Sequence, residues 1–161
     1  MKKKLVNFLT SVSICFAFES CTKPTTMENP EHEVSAIFPM GTPVNGETFT
    51  GKTWHTELVP NDSSLTSVVG NVYFEPGARS HWHSHPSGQI LVITDGEGFH
   101  QFEGQPKQHL KKGDMITCPP NVIHWHGASP NKGMQQIYIV PNTERGIVEW
   151  KQAVSDEEYQ N

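Results

Sequence analysis

Cysteine is nearly absent from the body of this chain. Three occur, but Cys15 and Cys21 fall within the first 21 residues, which leaves Cys118 alone. A single thiol forms no internal disulfide, so a disulfide-stapled fold is excluded. The run Asp114 to Pro120 reads as a strand in which Cys118 is a small buried hydrophobe rather than a nucleophile. Positive charge is scarce as well. Beyond residue 21, nine basic residues stand against sixteen acidic ones, a net charge of −7. Without a basic stripe, nucleic acid is excluded as a partner. Long apolar runs are wanting too: Leu5–Phe18 is short and broken by Asn7, Thr10, Ser11 and Ser13, which argues against a membrane-spanning helix.

That stretch reads instead as an export signal. Lys2, Lys3 and Lys4 form a basic head, the apolar run follows, and Glu19-Ser20-Cys21 closes it. A small residue before Cys resembles a bacterial lipoprotein cleavage site, with Cys21 as the lipidated first residue. Phe18 and Glu19 depart from the tight form of that site, so ordinary signal cleavage is the alternative. The expected location is the periplasm, or a membrane surface reached only through a lipid anchor. Residues 1–21 are thus set apart as signal, and 22–50 as a Pro/Thr/Glu-rich linker and irregular arm.

Residues 51–161 form the expected domain. Twelve prolines and thirteen glycines in 161 residues, with few charged runs, suit a turn-rich all-β fold. Short apolar segments recur between turn signals over Trp54–Val59, Thr66–Phe74, Gln89–Thr94, Gly98–Phe102, Met115–Cys118 and Met134–Val140. Asp95-Gly96 and Glu103-Gly104 carry hairpin chemistry. Val148–Tyr159, with Trp150, Ala153 and Val154, reads as one amphipathic C-terminal helix. A sandwich or barrel with one terminal helix is expected.

Five of the nine histidines fall in two stretches, His81-Trp82-His83-Ser84-His85 and His124-Trp125-His126. On a strand, residues two apart share a face, which predicts one inward row of His81, His83 and His85 and another of His124 and His126. Trp82 and Trp125 then face outward as packing residues. His100 and His109 sit on a polar hairpin and are expected in solvent. His55 offers no usable signal, and Arg79 reads as a structural ion-pairing residue. Imidazoles from two strands converging with Gln89 form a candidate metal site.

Two spaced segments resemble the cupin motifs. Gly77-x5-His83-x-His85-x3-Gln89-x6-Gly96 is similar to the first, with Gln89 where Glu is usual. Gly113-x5-Pro119-x-Asn121-x2-His124 is similar to the second, with Asn121 where Gly is usual. The resemblance implies a cupin jelly-roll β-barrel holding a divalent metal on His83, His85, Gln89 and His124. The runs around these residues look like small bacterial manganese cupins of the hydroxynitrile lyase-like group. That likeness implies manganese, with iron or zinc as alternatives, and a pocket including Val72, Phe74 and Ser80. Gln136 stands where those lyases carry a further pocket histidine.

A neutral amide in place of a carboxylate leaves the full dication charge on the site, which favours Lewis-acid chemistry. Gln89 cannot accept a proton, so His126 and His81 are the candidate acid/base groups. The expected function is a metal-dependent lyase acting on a small carbonyl or hydroxyl compound. A cupin dioxygenase and a non-catalytic small-molecule or sugar-binding cupin are the alternatives. Pairing of exposed sheet edges into a homodimer is compatible with such a barrel.

Overall fold

The structure, a computed structural model, describes residues 37–161 apart from 45 and 63. The signal segment and Cys21 lie outside the described residues. Strand pairing begins within the expected arm, with β1 (Thr42–Pro43) and β2 (Phe49–Thr50). Then follow β3 (Thr53–Val59), β4 (Ser67–Phe74), β5 (Arg79–Ser80), β6 (His83–Ser84) and the long β7 (Gln89–Phe102). The chain continues through β8 (Gln108–Lys111), β9 (Met115–Cys118), β10 (His124–Ala128) and β11 (Met134–Pro141). It ends in β12 (Glu149–Trp150) and helix α1 (Asp156–Gln160).

These strands curl into a jelly-roll. One sheet runs β1-β3-β4-β11 onto the first half of β7, which also pairs with β9. The other joins β2-β5-β10 to the second half of β7, which also pairs with β8; β6 pairs with β10, and β12 with β6. Strand β7 therefore belongs to both sheets. The hairpin expected at Asp95-Gly96 is instead the bend at which one strand changes sheets. Gly96 has φ 72°, and a Cβ there would run into the Gly133 carbonyl, so the bend requires glycine. Next to it, Thr94 is bulged against Gln135/Gln136, and its hydroxyl donates to the Gln135 carbonyl at 3.1 Å.

The expected helix over Val148–Tyr159 is also corrected. Glu149–Trp150 is extended because it pairs with Ser84 and His83 of β6. The helix begins only after Ser155, whose hydroxyl accepts the Glu158 N–H while the Glu158 carboxylate accepts the Ser155 N–H. Its Tyr159 packs with Trp82, Trp125 and Val154 in an outer apolar layer, as expected for the two tryptophans. Arg79 is buried beneath this layer, donating to Asp156 at 2.6 Å and to the Val154 carbonyl at 3.0 Å. Inside the barrel, Val72, Phe74, Ala78, Ile93, Leu110, Ala128 and Met134 form the apolar core.

Candidate metal centre and cavity

Register brings the histidines together. His83 on β6 and His124 on β10 are direct cross-strand partners, with ring centroids 4.4 Å apart. His85 follows β6 with its ring 5.1 Å from that of His83, and Gln89 opens β7. One ligating atom from each of His83, His85 and His124 lies within 4.8 Å of the others, and all three residues are buried.

Each ring is oriented by a backbone carbonyl. His83 Nδ1 donates to the carbonyl of His81 at 2.9 Å, His85 Nδ1 to that of Ile147 at 2.6 Å, and His124 Nδ1 to that of Val122 at 2.9 Å. A carbonyl oxygen only accepts, so the proton sits on Nδ1 and each neutral ring presents a bare Nε2 lone pair. The Nε2 of His85 is buried with no hydrogen-bond partner among the described residues. The Nε2 of His124 faces the Gln89 Oε1 at 3.2 Å. Two acceptors face to face make a poor hydrogen bond and a good pair of ligands.

Electrostatics keep these rings neutral. Burial, with the neighbouring His124, holds His83 well below the ordinary imidazole range. Burial lowers His124 to about 4 and pulls His85 down as well. Neutral imidazoles are the form that binds cations. Orphaned lone pairs and locked tautomers together fit a divalent cation on His83, His85, His124 and the Gln89 oxygen.

A cavity of about 320 Å³ opens beside this group, with His83, His85, Gln89, His126, Val72 and Gln136 in its wall. His126 is buried and held well below the ordinary range by burial and by His83. Its Nδ1 lies 3.0 Å from Gln136 Nε2, an amide nitrogen that only donates. The proton of His126 is therefore on Nε2, which is buried and has no partner among the described residues. Phe74 meets the His126 ring edge-on at 5.7 Å, and the Ser80 hydroxyl accepts the His126 backbone N–H at 3.1 Å. Phe74 and Ser80 thus support His126 from outside the cavity wall rather than lining it.

His81 departs from expectation. It lies in the break between β5 and β6, where strand alternation does not apply, and its ring stands outside the cavity wall beside Arg79 and Glu47. The expected row of three inward histidines is a row of two. His100 departs in the other direction: it is fully buried, stacked on His124 at 5.4 Å, with Nε2 3.5 Å from the Cys118 sulfur. Burial pushes the Cys118 thiol up to about 12 and His100 down to about 3, so both are neutral. His109 is exposed, as expected.

Two wall residues carried no sequence signal, His55 and Tyr138, whose Nε2 and hydroxyl lie 2.8 Å apart. Trp150 of β12 covers His83 at 4.9 Å and meets Phe49 at 5.6 Å. The C-terminal segment is thus part of the site.

Comparisons with known proteins agree with this architecture. A family model described as Cupin domain matches residues 70–140. An (R)-mandelonitrile lyase from Granulicella tundricola is 41% identical over 111 residues, covering 69% of this chain and 85% of the relative. The crystal structure of a cupin-like protein from Thermotoga maritima is 46% identical with a TM-score of 0.76, covering 78% of this chain and 96% of that one. A Klebsiella pneumoniae protein with a double-stranded β-helix domain is 25% identical with a TM-score of 0.56, covering 75% of this chain and 99% of that one. Fold, motif positions and relatives agree: the chain belongs to the cupin family.

Proposed function

We propose that this protein is a metal-dependent lyase that cleaves small cyanohydrins, with His83, His85, Gln89 and His124 as the metal ligands and manganese as the ion. Iron and zinc are the alternatives. The observation that carries the reading is the set of three Nδ1–carbonyl hydrogen bonds, which leaves three Nε2 lone pairs converging beside the Gln89 oxygen. Its reaction class rests on the likeness to the mandelonitrile lyase. When bound, a divalent ion in this neutral shell supplies Lewis-acid stabilisation to an oxygen or small anion.

The chain's own groups do the rest. Val72, Val140, Ile147 and Val148 give the cavity an apolar wall that excludes water from a small organic substrate. Cleavage breaks the bond between carbinol carbon and nitrile carbon and the electron pair leaves with cyanide; the hydroxyl proton passes to the departing cyanide as the carbonyl forms, so the products are a carbonyl compound and hydrogen cyanide. His126 keeps its Nε2–H and hydrogen-bonds through it to the negative charge that develops on the nitrile. Gln136 holds that ring in the donating tautomer through Nδ1. In the same reading the protein is exported, on the strength of Lys2–Lys4 and the apolar run, with Cys21 as the acylation site.

The test is cleavage of mandelonitrile by protein loaded with manganese, iron or zinc, followed as benzaldehyde release. Cleavage well above free metal is expected, falling about 100-fold or more in His126→Ala at unchanged metal content. A rate equal to free metal, or one indifferent to His126→Ala, would sink the lyase reading.

A further inference from the structure

Catalysis by His126 and the metal ligands leaves His55 and Tyr138 of the cavity wall unused. His55 is on β3 and Tyr138 on β11, 83 residues apart in sequence, and β4 brings them together. Their rings lie 5.8 Å apart at 23°, and His55 Nε2 is 2.8 Å from the Tyr138 hydroxyl. We propose that this pair is a second polar pole of the cavity, which binds a neutral hydroxyl group at the end of the substrate remote from His126. This rests on the cavity being the substrate site.

The position is built for it. Gln136 and Tyr138 are two apart on β11 and both face the cavity. Two strand residues advance about 6.8 Å, comparable to the span of a para-substituted benzene ring. Gln136 touches His126 at one end, and Tyr138 marks the other. Opposite Tyr138 in register stands Gly70, where a Cβ would lie 2.5 Å from the Tyr138 ring. The ring therefore lies directly on the β4 backbone, a placement that any side chain at position 70 would deny it.

Charge selects the ligand. Burial is the larger influence on both His55 and Tyr138, and Glu57 on β3 adds a smaller upward pull on each, so its negative field is felt by the pair. Burial pushes Tyr138 up to about 12, and burial lowers His55, so both are neutral at neutral pH. No lysine or arginine is among the described residues of the cavity wall. A carboxylate is disfavoured there. A hydroxyl is suited, because the pair adapts to it in either sense: Tyr138 O–H donating to Nε2 leaves its oxygen free to accept, and Nε2–H donating to the oxygen frees the O–H to donate. The substrate class is accordingly an uncharged aromatic or similarly sized compound with a distal hydroxyl.

The test uses non-reacting probes on the metal-loaded full-length protein, comparing p-cresol, toluene and p-toluate by calorimetry or NMR titration. Wild type is expected to favour p-cresol over toluene by about 3- to 10-fold, the range of one net hydrogen bond, and to bind p-toluate least. Tyr138→Phe should abolish the preference while leaving toluene affinity within about twofold. Gly70→Ala, which displaces the ring without altering its chemistry, should do the same and guards against misfolding of one variant. Equal affinity for p-cresol and toluene in wild type, or a preference that survives in Tyr138→Phe, overturns the proposal. A Tyr138-dependent cresol preference without mandelonitrile cleavage upholds the pole and removes only the lyase reading. Cleavage without any hydroxyl preference does the reverse.

Discussion

His85 donates its Nδ1–H to the carbonyl oxygen of Ile147, 62 residues further along the chain, at 2.6 Å. This bond makes the C-terminal segment a part of the metal centre. Gly146 is tied back to Thr143, and Trp150 pairs with His83, so the Ile147 carbonyl is held from both sides. Inserting one glycine between Gly146 and Ile147 should free that carbonyl while the flanking anchors stay in place. Loss of an orienting partner costs about 10- to 100-fold in metal affinity. A chelator competition titration of the insertion variant measures it, and an unchanged affinity would show that the carbonyl does not orient His85.

Much of this centre is legible in sequence. His83, His85 and Gln89 lie on one short segment, and Pro119, Asn121 and His124 recur at motif spacing, so local pattern suffices. His100 is different. Its neighbours Gln101, Gln105 and Gln108 suggest a solvated hairpin, but β7 continues through the Gly96 bend into the second sheet and carries His100 into the barrel against Cys118 of β9. The pairing of His55 with Tyr138 depends on the β3-β4-β11 neighbour order, which no local pattern contains. At Val148–Tyr159 the helical spacing of Trp150, Ala153 and Val154 is overridden by pairing of β12 with β6. Tertiary contact, rather than propensity, decides that segment.

The buried histidines make the stability of the metal-free protein depend on pH. Unfolded, each imidazole titrates near 6.5; folded, His100 is lowered to about 3 and His124 to about 4. Between those values the unfolded chain binds more protons, so stability rises with pH and is lost as pH falls below 6.5. His100 alone should contribute about 2 kcal/mol to the difference between pH 8 and pH 5. Urea unfolding at the two pH values measures the total, and His100→Leu should remove about that share. A pH-independent urea midpoint would contradict burial of neutral rings.

Gln89→Glu would place a carboxylate oxygen where an amide oxygen now faces His124 Nε2 at 3.2 Å. The added negative charge attracts a divalent cation more strongly and dissipates part of its field at the substrate. Metal should be retained through chelator washes that strip the wild type, while cyanohydrin cleavage falls at least about tenfold. Elemental analysis and initial rates on the same samples separate the two effects. Faster cleavage in the carboxylate variant would show that Lewis acidity does not limit the reaction.

Cys21 follows Glu19-Ser20 at the end of the apolar run. If the residue is acylated, two or more chains give stable membrane anchoring. Expression of the full-length protein in a bacterial host should then place it in the membrane fraction, with an intact mass raised by the lipid. Cys21→Ala should leave it unacylated and either soluble or uncleaved. An unlipidated, soluble wild type would assign the segment to ordinary signal cleavage.

Gln136 provides the sharpest test of the donor role proposed for His126. The amide nitrogen lies 3.0 Å from His126 Nδ1 and only donates, which puts the ring proton on Nε2, an atom buried with no partner among the described residues. Gln136→Glu would offer an acceptor at the same place. The ring should then turn its proton to Nδ1 and present a bare Nε2 lone pair, converting a donor to negative charge into an acceptor. Nitrogen NMR of the ring reads this exchange directly, because protonated and bare imidazole nitrogens resonate apart. Gln136→Leu removes the donor without imposing the other tautomer. Cyanohydrin cleavage is expected to fall about 10-fold in the leucine variant, where the ring is merely released, and about 100-fold or more in the glutamate variant, where it is held in the wrong form. Metal content should match wild type in both, since Gln136 touches none of the ligating nitrogens. Equal rates in the two variants would assign Gln136 to packing alone and leave the donating tautomer of His126 without a catalytic role.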